Sequence, residues 1–267
     1  LAHWFRNVLQ ETASGATGAE QILSTRGRLA LLLADMPTRW QDQFLRPGPW
    51  PEEFVKAMRS SYIDAGPDFR QQMLKVHQKR LDAIVLTHEH KDHLAGLDDV
   101  RAFNYTMGQS MPVFAHQRVI EALRREFSYV FENPNYPGLP QFELMPINNR
   151  PFKIGSLDLL PIPVLHADLP VMGFRINDFV YITDANCIPE STWPLLNKVR
   201  VLVINALRIQ PHYSHYTLAE ALEIIRRIQP QRAYITHISH QMGLHETVSQ
   251  QLPDYVELAS DGLQLML

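Results

Sequence analysis

The chain has 267 residues, of which 45% are hydrophobic, and its formal net charge at pH 7 is −3. This length provides one large or two small domains with a sizeable core. A single cysteine, Cys187, excludes an internal disulfide and a cysteine-rich zinc site. No basic excess favours non-specific nucleic-acid binding. Residues 1–20 contain no signal-type apolar run, and no apolar run is long enough to span a bilayer, so we expect a cytoplasmic, soluble protein without a membrane partner.

The first 59 residues differ in pattern from the rest of the chain. Trp4, Phe5 and Val8 recur at helical spacing, and residues 26–36 are rich in the helix formers Leu and Ala. A proline-rich stretch at residues 46–51 breaks any helix. We therefore predict a helical N-terminal segment of unknown role over residues 1–59, followed by a separate domain over residues 60–267.

Strands and helices alternate after residue 60, which predicts an α/β layered domain. Short apolar runs rich in β-branched residues predict strands, and two longer runs predict strand pairs with tight turns. The predicted strand regions are residues 81–86, 111–115, 142–147, 152–165, 172–183, 199–205 and 232–236, with a final hairpin over 256–267. Residues 217–228 predict a helix in which Thr217 caps the start and Glu220 lies at capping-box spacing.

A histidine-rich motif directly follows the first predicted strand, residues 81–86. In an extended segment, residues two apart project to the same side, so His88 and His90 can converge on one point. Asp92 and His93 follow as the chain turns toward a helix, and they can converge on a second point nearby. Imidazole and carboxylate groups suit Zn²⁺, Mn²⁺ or Fe²⁺. The motif therefore predicts a metal site.

The pattern H-x-H-x-D-H after a buried strand resembles the signature of the metallo-β-lactamase-fold hydrolases. The resemblance covers about residues 60–267 and implies an α/β fold of the αββα sandwich type. It also implies three further metal ligands, each at the end of a strand. The candidates in this sequence are His166, Asp184 and His237.

Further segments resemble one branch of that family, the PhnP-like phosphoribosyl cyclic phosphodiesterases. These segments are the sequence THISHQ at residues 236–241, the sequence DDVR at 98–101 and the sequence IDAG at 63–66. The resemblance implies that Asp64 orients metal ligands without binding metal itself. It also implies that His215, in the loop before the predicted helix, contacts the scissile phosphate.

The hypothesis that follows is a two-metal hydrolase with Zn or Mn as the metals. Its substrate would be a small or cyclic phosphodiester, attacked by a metal-activated hydroxide. Asp92 and His215 are the predicted catalytic residues, with His215 as an imidazolium that stabilises phosphate charge or protonates the leaving group. One metal would be held by His88, His90 and His166, the other by Asp92, His93 and His237, with Asp184 bridging them.

Two departures from the family pattern are visible. Residues 1–59 lack the strand and the turn rich in Gly, Thr and Ser with which the family begins. Many PhnP-like proteins also hold a structural zinc with N-terminal cysteines and a histidine that matches His240. Those cysteines are absent here, so we expect no metal at His240.

Other functions stay open on the sequence alone. A nuclease of the tRNA 3′-processing kind needs a basic surface or arm for RNA, and the sequence shows no such arm. Thioester or lactone hydrolysis also occurs on this fold. A non-enzymatic alternative is an interaction protein in which residues 1–59 bind a partner. The sequence also leaves open whether the chain forms a homodimer.

Overall fold

The computed structural model describes residues 23–24, 61–132, 136–155, 157–260 and 263–265. The chain divides into two compact units, Leu1–Leu159 with Asp261–Leu267, and Leu160–Ser260. Within the described residues, no helix combines the length and the apolar character needed to cross a membrane.

The first unit contains a four-stranded parallel sheet. In sheet order, its strands are β2 (Ser61–Ile63), β3 (Ala83–Val85), β4 (Met111–His116) and β5 (Phe142–Ile147). Its helices are α1 (Phe69–Lys75), α2 (Lys91–Leu94), α3 (Arg101–Met107), α4 (Gln117–Glu126) and α5 (Ser128–Glu132). A 3₁₀ segment, Ala95–Val100, joins α2 to α3. Two further strands, β6 (Phe152–Ile154) and the start of β7 (Leu157–His166), pair antiparallel.

Burial of β3 explains why its sequence is a continuous apolar run. Ala83, Ile84 and Val85 are fully buried, as expected for a parallel strand covered on both faces. Ile84 and Leu86 pack in one apolar cluster with Val113 of β4 and with Leu123 of α4. The chain that leaves β3 therefore starts from a fixed position, and that chain carries the histidine motif.

The second unit contains a mixed sheet that includes β7. The strands beyond β7 are β8 (Leu169–Ile176), β9 (Phe179–Ile182), β10 (Val201–Asn205), β11 (Arg232–Thr236) and β12 (Val256–Leu258). Their order in the sheet is β12-β11-β10-β9-β8-β7. Strands β7 to β9 are antiparallel, and β9 to β12 are parallel. The helices are α6 (Leu218–Ile228) and α7 (His245–Ser249), with 3₁₀ segments at Trp193–Leu196 and His240–Met242.

Helix α6 begins with the predicted capping box. The Thr217 hydroxyl accepts from the backbone N–H of Glu220, and the Glu220 carboxylate accepts from the backbone N–H of Thr217. Ala221 and Ile225 of this helix pack into the apolar cluster that also contains Ile204. The start of α6 is therefore fixed, and the loop that carries His215 ends at this point.

Most of the predicted elements are confirmed, and so is the α/β class. The final hairpin is wrong, because β12 and β13 (Gln264–Leu265) do not pair with each other. Strand β12 pairs in parallel with β11, and β13 pairs antiparallel with β1 (Leu23–Ser24). The prediction that residues 1–59 are helical is wrong for Leu23 and Ser24, which form β1. The rest of that segment lies outside the described residues, and the domain boundary near residue 60 stays a prediction.

Candidate metal centre

Three predicted site residues follow directly after parallel strands and share an unusual backbone conformation. Asp64 follows β2, Asp184 lies just beyond β9, and His237 follows β11. Their φ angles are 59°, 53° and 56°, in the left-handed region that non-glycine residues rarely adopt. Each such residue carries a backbone cost of about 1–3 kcal/mol that the surrounding structure must offset. The strand ends thus turn sharply where the predicted ligands lie.

His88 is oriented by its neighbours in the first unit. Its side chain is fully buried, and its Nδ1 lies 3.0 Å from the Thr87 hydroxyl. The same hydroxyl donates to Asp64 Oδ2 at 2.8 Å, and the Thr87 backbone N–H donates to Asp64 Oδ1 at 2.8 Å. Because the hydroxyl proton goes to the carboxylate, the hydroxyl oxygen is an acceptor toward His88 Nδ1. A neutral His88 that donates from Nδ1 has its lone pair on Nε2, which can bind a metal.

His93 has the same tautomer for a different reason. Its Nδ1 lies 2.7 Å from Asp64 Oδ2, and both side chains are buried. A carboxylate accepts only, so Nδ1 carries the proton and Nε2 carries the lone pair. A carboxylate that fixes a histidine in this way is the usual partner of metal-binding imidazoles. Asp64 thus lies where it can orient His93, and its supporting role in metal binding stays a prediction.

The two charged residues that alternate with the histidines of the motif form ion pairs with helix α4, as expected if they point away from the histidines. Glu89 forms an ion pair with Arg118 of α4, and Lys91 forms one with Glu126 of the same helix. Asp92 is half-buried, and its Oδ2 lies 3.4 Å from His93 Nε2. The charges between the predicted ligands are thus paired elsewhere in the first unit.

In the second unit, Asp184 and His237 are in contact. Asp184 Oδ1 accepts from the Thr183 hydroxyl at 2.6 Å and lies 2.9 Å from His237 Nδ1. The turn beyond Asp184 is held by Asn205 at the end of β10. The Asn205 side chain accepts from the Ala185 N–H at 2.8 Å and donates to the Ala185 carbonyl at 2.9 Å.

His166 ends β7, and its tautomer is fixed by the backbone. Its Nδ1 lies 2.6 Å from the carbonyl oxygen of Ser214. Since a carbonyl only accepts, Nδ1 donates and Nε2 carries the lone pair. His166 is therefore prepared for metal binding through Nε2.

His215 is buried beside these residues. Its ring centroid lies 4.4 Å from that of His166 and 4.7 Å from that of His237, against which it stacks. Burial lowers the pKa of His215 to about 3, and the neighbouring His237 acts in the same direction. Its Nδ1 is buried and has no hydrogen-bond partner among the described residues. A neutral imidazole is therefore favoured at pH 7, in contrast to the expected imidazolium.

Within each unit, the predicted ligands lie close enough together to contribute to a metal site. In the first unit, a potential ligand atom of His88 lies within 4.8 Å of one of His90, and the same holds for Asp92 and His93. In the second unit, Asp184 offers a carboxylate oxygen within 4.8 Å of a nitrogen of His166 and of a nitrogen of His237. Metal binding itself stays a prediction for each residue.

Residues 59–238, more than half of the chain, match the family described as the beta-lactamase superfamily domain. The chain belongs to the beta-lactamase superfamily. The α/β fold of the metallo-β-lactamase type is thereby confirmed, and the recognition of this family from the histidine motif is also confirmed.

The chain is similar to proteins that carry different names. A crystal structure described as a new diphosphatase from the PhnP family is 35% identical, covers 77% of this chain and 78% of its own, and has a TM-score of 0.71. An octanoyltransferase of Porphyromonas gingivalis is 35% identical over 77% of this chain. This chain spans only 42% of that relative. A ribonuclease Z of Pyrobaculum islandicum is 24% identical over 66% of this chain and 75% of its own.

The donor set of this superfamily member fits divalent metal ions. The candidate ligands are imidazole nitrogens and carboxylate oxygens, and no cysteine takes part. Such ligands suit Zn²⁺ and Mn²⁺. The fixed tautomers of His93 and His166 leave the nitrogen that a metal needs unprotonated. His240 is exposed, and the expectation that it binds no metal stays a prediction.

Several supporting residues are not evident from the sequence. Thr87, Asn205 and the carbonyl of Ser214 orient the candidate ligands through hydrogen bonds. One signal was available for Asn205, a polar residue at the end of an apolar parallel strand beside the strands that end at Asp184 and His237. His212, whose ring centroid lies 5.0 Å from that of His215, was also missed.

Proposed function

We propose that this chain is a dinuclear metal-dependent hydrolase that cleaves a small or cyclic phosphodiester. The observation that carries the proposal is the position of Asp184, whose carboxylate lies within 4.8 Å of a nitrogen of His166 and of a nitrogen of His237. Zn²⁺ or Mn²⁺ fits the donor set. When bound, two such cations supply activated water at neutral pH and neutralise charge on a phosphoryl group.

The residues of the chain orient the site before substrate binds. His93 and His166 are held with Nε2 unprotonated by Asp64 and by the Ser214 carbonyl. The carboxylate of Asp184 would help to hold both metals. Such preorganisation reduces the rearrangement that binding and reaction would otherwise need.

Two residues have proposed roles in proton transfer and charge stabilisation. Asp92 is half-buried, with its side chain 35% exposed, so its carboxylate can accept a proton from the attacking water. His215 is buried beside His166 and His237, where a neutral ring can donate a hydrogen bond to a phosphoryl oxygen. This role needs no imidazolium.

The choice of a phosphorus–oxygen bond as the target rests on the similarity to the PhnP-family diphosphatase. That protein covers most of this chain at 35% identity, and the motifs at residues 63–66 and 236–241 resemble the same branch. The octanoyltransferase is a weaker guide, because this chain matches less than half of it. A small substrate also agrees with the net charge of −3.

A nuclease is the second candidate, favoured by the similarity to ribonuclease Z. Its substrate would be the 3′ end of a precursor tRNA. The acidic net charge opposes this candidate, because RNA binding draws on clustered basic residues. Cleavage of a precursor tRNA in preference to small diesters would support the nuclease.

The first experiment measures metal per chain by elemental analysis of the purified full chain. We expect about two equivalents of Zn or Mn, from the two-metal chemistry proposed here. Asp184→Asn should lose most of this metal, whereas Asp254→Asn, a change at an exposed carboxylate, should keep it. A folded wild-type chain that binds no added Zn²⁺ or Mn²⁺ would overturn the proposal and favour the non-enzymatic alternative.

The second experiment compares substrates for the metal-loaded chain. Bis(p-nitrophenyl) phosphate and a 2′,3′-cyclic nucleotide represent diesters, and a thioester and a lactone represent the other chemistries of the fold. We expect turnover of the diesters to exceed that of the thioester and the lactone. Higher turnover of the thioester or the lactone would still indicate a metal hydrolase but would overturn the proposal that it is a phosphodiesterase.

A further inference from the structure

The loop between β10 and α6 brings a second histidine next to His215. The ring centroid of His212 lies 5.0 Å from that of His215, and His212 is half-buried. The ring centroid of His212 also lies 4.8 Å from that of Tyr213, a residue that is 80% exposed. His212 thus neighbours both the buried His215 and a residue open to solvent.

The loop is closed by several hydrogen bonds, so His212 has a defined position. Leu207 N–H donates to the Tyr216 carbonyl at 2.9 Å, which joins the two ends of the loop. The guanidinium of Arg208 donates to the carbonyls of Gln210 and Pro211 and to the side chain of Gln241. Asn186 also donates to the carbonyl of Tyr213 at 2.9 Å.

The backbone of Ser214 decides which nitrogen of His212 is protonated. The Ser214 N–H donates to His212 Nδ1 at 3.3 Å, and a backbone N–H can only donate. Nδ1 is therefore the acceptor, and a neutral His212 carries its proton on Nε2. The carbonyl of the same Ser214 accepts from His166 Nδ1, so one residue orients both a predicted metal ligand and His212.

A neutral Nε2–H is a donor and cannot bind a metal. It therefore selects a ligand atom that accepts, such as a phosphoryl oxygen. Neighbouring donors on His212 and His215 could bind two oxygens of one phosphate, because their rings are as close as 5.0 Å. A hydrogen bond to a charged acceptor strengthens binding by roughly 10-fold or more, so such a contact would contribute measurably to substrate binding.

We propose that His212 binds the substrate directly, donating its Nε2–H to a phosphoryl oxygen beside His215. This inference rests on the proposed phosphodiesterase function. It adds a residue that recognises the substrate and that does not hold the metals.

Two variants separate this role from a merely structural one. In His212→Gln, the side-chain amide can donate from about the position of Nε2 but cannot replace Nδ1. In His212→Asn, the amide oxygen can replace Nδ1 as acceptor for Ser214, and the donor at Nε2 is lost. If His212 binds substrate, His212→Asn should lose more activity than His212→Gln. If His212 only maintains the loop, His212→Gln should lose more activity than His212→Asn. His240→Gln, at an exposed histidine, is the control.

The experiment measures kcat and KM for bis(p-nitrophenyl) phosphate, the inhibition constant of inorganic phosphate, metal content and Tm. We expect His212→Asn to lower kcat/KM and weaken phosphate inhibition by roughly 10-fold or more, with metal content and Tm unchanged. His212→Gln and the control should remain within about threefold of the wild type.

The outcomes distinguish this inference from the function on which it rests. A metal-loaded wild type that turns over no phosphodiester would overturn the proposed function, and the His212 contact with it. An active wild type in which His212→Asn is unaffected, or in which His212→Gln loses at least as much as His212→Asn, would overturn the contact alone.

Discussion

Asp64 Oδ2 lies 2.7 Å from Nδ1 of His93, and both side chains are buried. The carboxylate also accepts from the backbone N–H and the hydroxyl of Thr87. One residue at a strand end thus sets the tautomer of His93 and, through Thr87, the orientation of His88.

Asp64→Asn should weaken metal binding without unfolding the chain. Asn tolerates the left-handed conformation that residue 64 adopts at φ 59°. An amide N–H facing His93 Nδ1 would force that nitrogen to accept, so the proton would move to Nε2, where a metal should bind. We expect metal affinity to fall roughly 10- to 100-fold, measured by titration with a chelator as competitor.

Asp82→Asn is the control for this prediction, because Asp82 pairs with Arg80 at an exposed site. The control should bind metal as the wild type does. An Asp64→Asn variant with wild-type metal affinity would show that the carboxylate does not set the His93 tautomer.

His215→Ala should lower turnover and leave the metals in place. The ring of His215 packs against His166 and His237, and we propose that it contacts the phosphate without binding metal. We expect kcat for a phosphodiester to fall by about 100-fold or more, as for loss of a proton-transfer or charge-stabilising group. Elemental analysis of the same sample provides the check, since loss of metal would show that His215 is a ligand.

Asn205→Ala should destabilise the second unit. Asn205 is fully buried, and its amide satisfies both the N–H and the carbonyl of Ala185. Leaving these groups unpaired should lower the free energy of unfolding by about 2–4 kcal/mol. Urea denaturation measures the change. Asn148→Ala removes an exposed side-chain bond to the N–H of Arg150 and should cost about 0.5 kcal/mol or less.

Thr217→Ala should remove the cap of α6. The Thr217 hydroxyl accepts from the backbone N–H of Glu220, and alanine has no acceptor there. We expect a loss of about 1 kcal/mol in the free energy of unfolding, seen as a lower urea midpoint. Thr217→Ser keeps a hydroxyl and should retain most of the stability. Equal losses in both variants would mean that packing of the methyl group, and not the cap, is responsible.

Gly96→Ala should strain the backbone next to Asp64. A Cβ at residue 96 would overlap the Gly66 carbonyl oxygen and lie 2.5 Å from Phe69 Cβ. The Gly96 N–H also donates to the Ala65 carbonyl at 2.8 Å, so the two segments cannot easily separate. We expect a loss of about 1–3 kcal/mol in the free energy of unfolding, measured by denaturation. An unchanged midpoint would show that the segment from Asp64 to Gly66 can move.

The sequence by itself determined the features that depend on local spacing. Alternation in the histidine motif separated His88 and His90 from Glu89 and Lys91, and these two charges do pair with α4. The capping box of α6 was predicted because its two partners are three residues apart. Downstream ligands such as His237 came from resemblance to a family, since spacing alone does not bring distant strand ends together.

Only the tertiary structure decided which groups support the ligands. Contacts such as Ser214 with His166, or Asn205 with Ala185, join residues 20 or more positions apart, and no local pattern encodes them. The same reason explains the wrong final hairpin. Local turn residues favoured pairing of the last two strands, whereas β12 found a parallel partner in β11, and β13 paired with β1. Hydrogen bonding between strands depends on which segments meet, and the fold alone determines that.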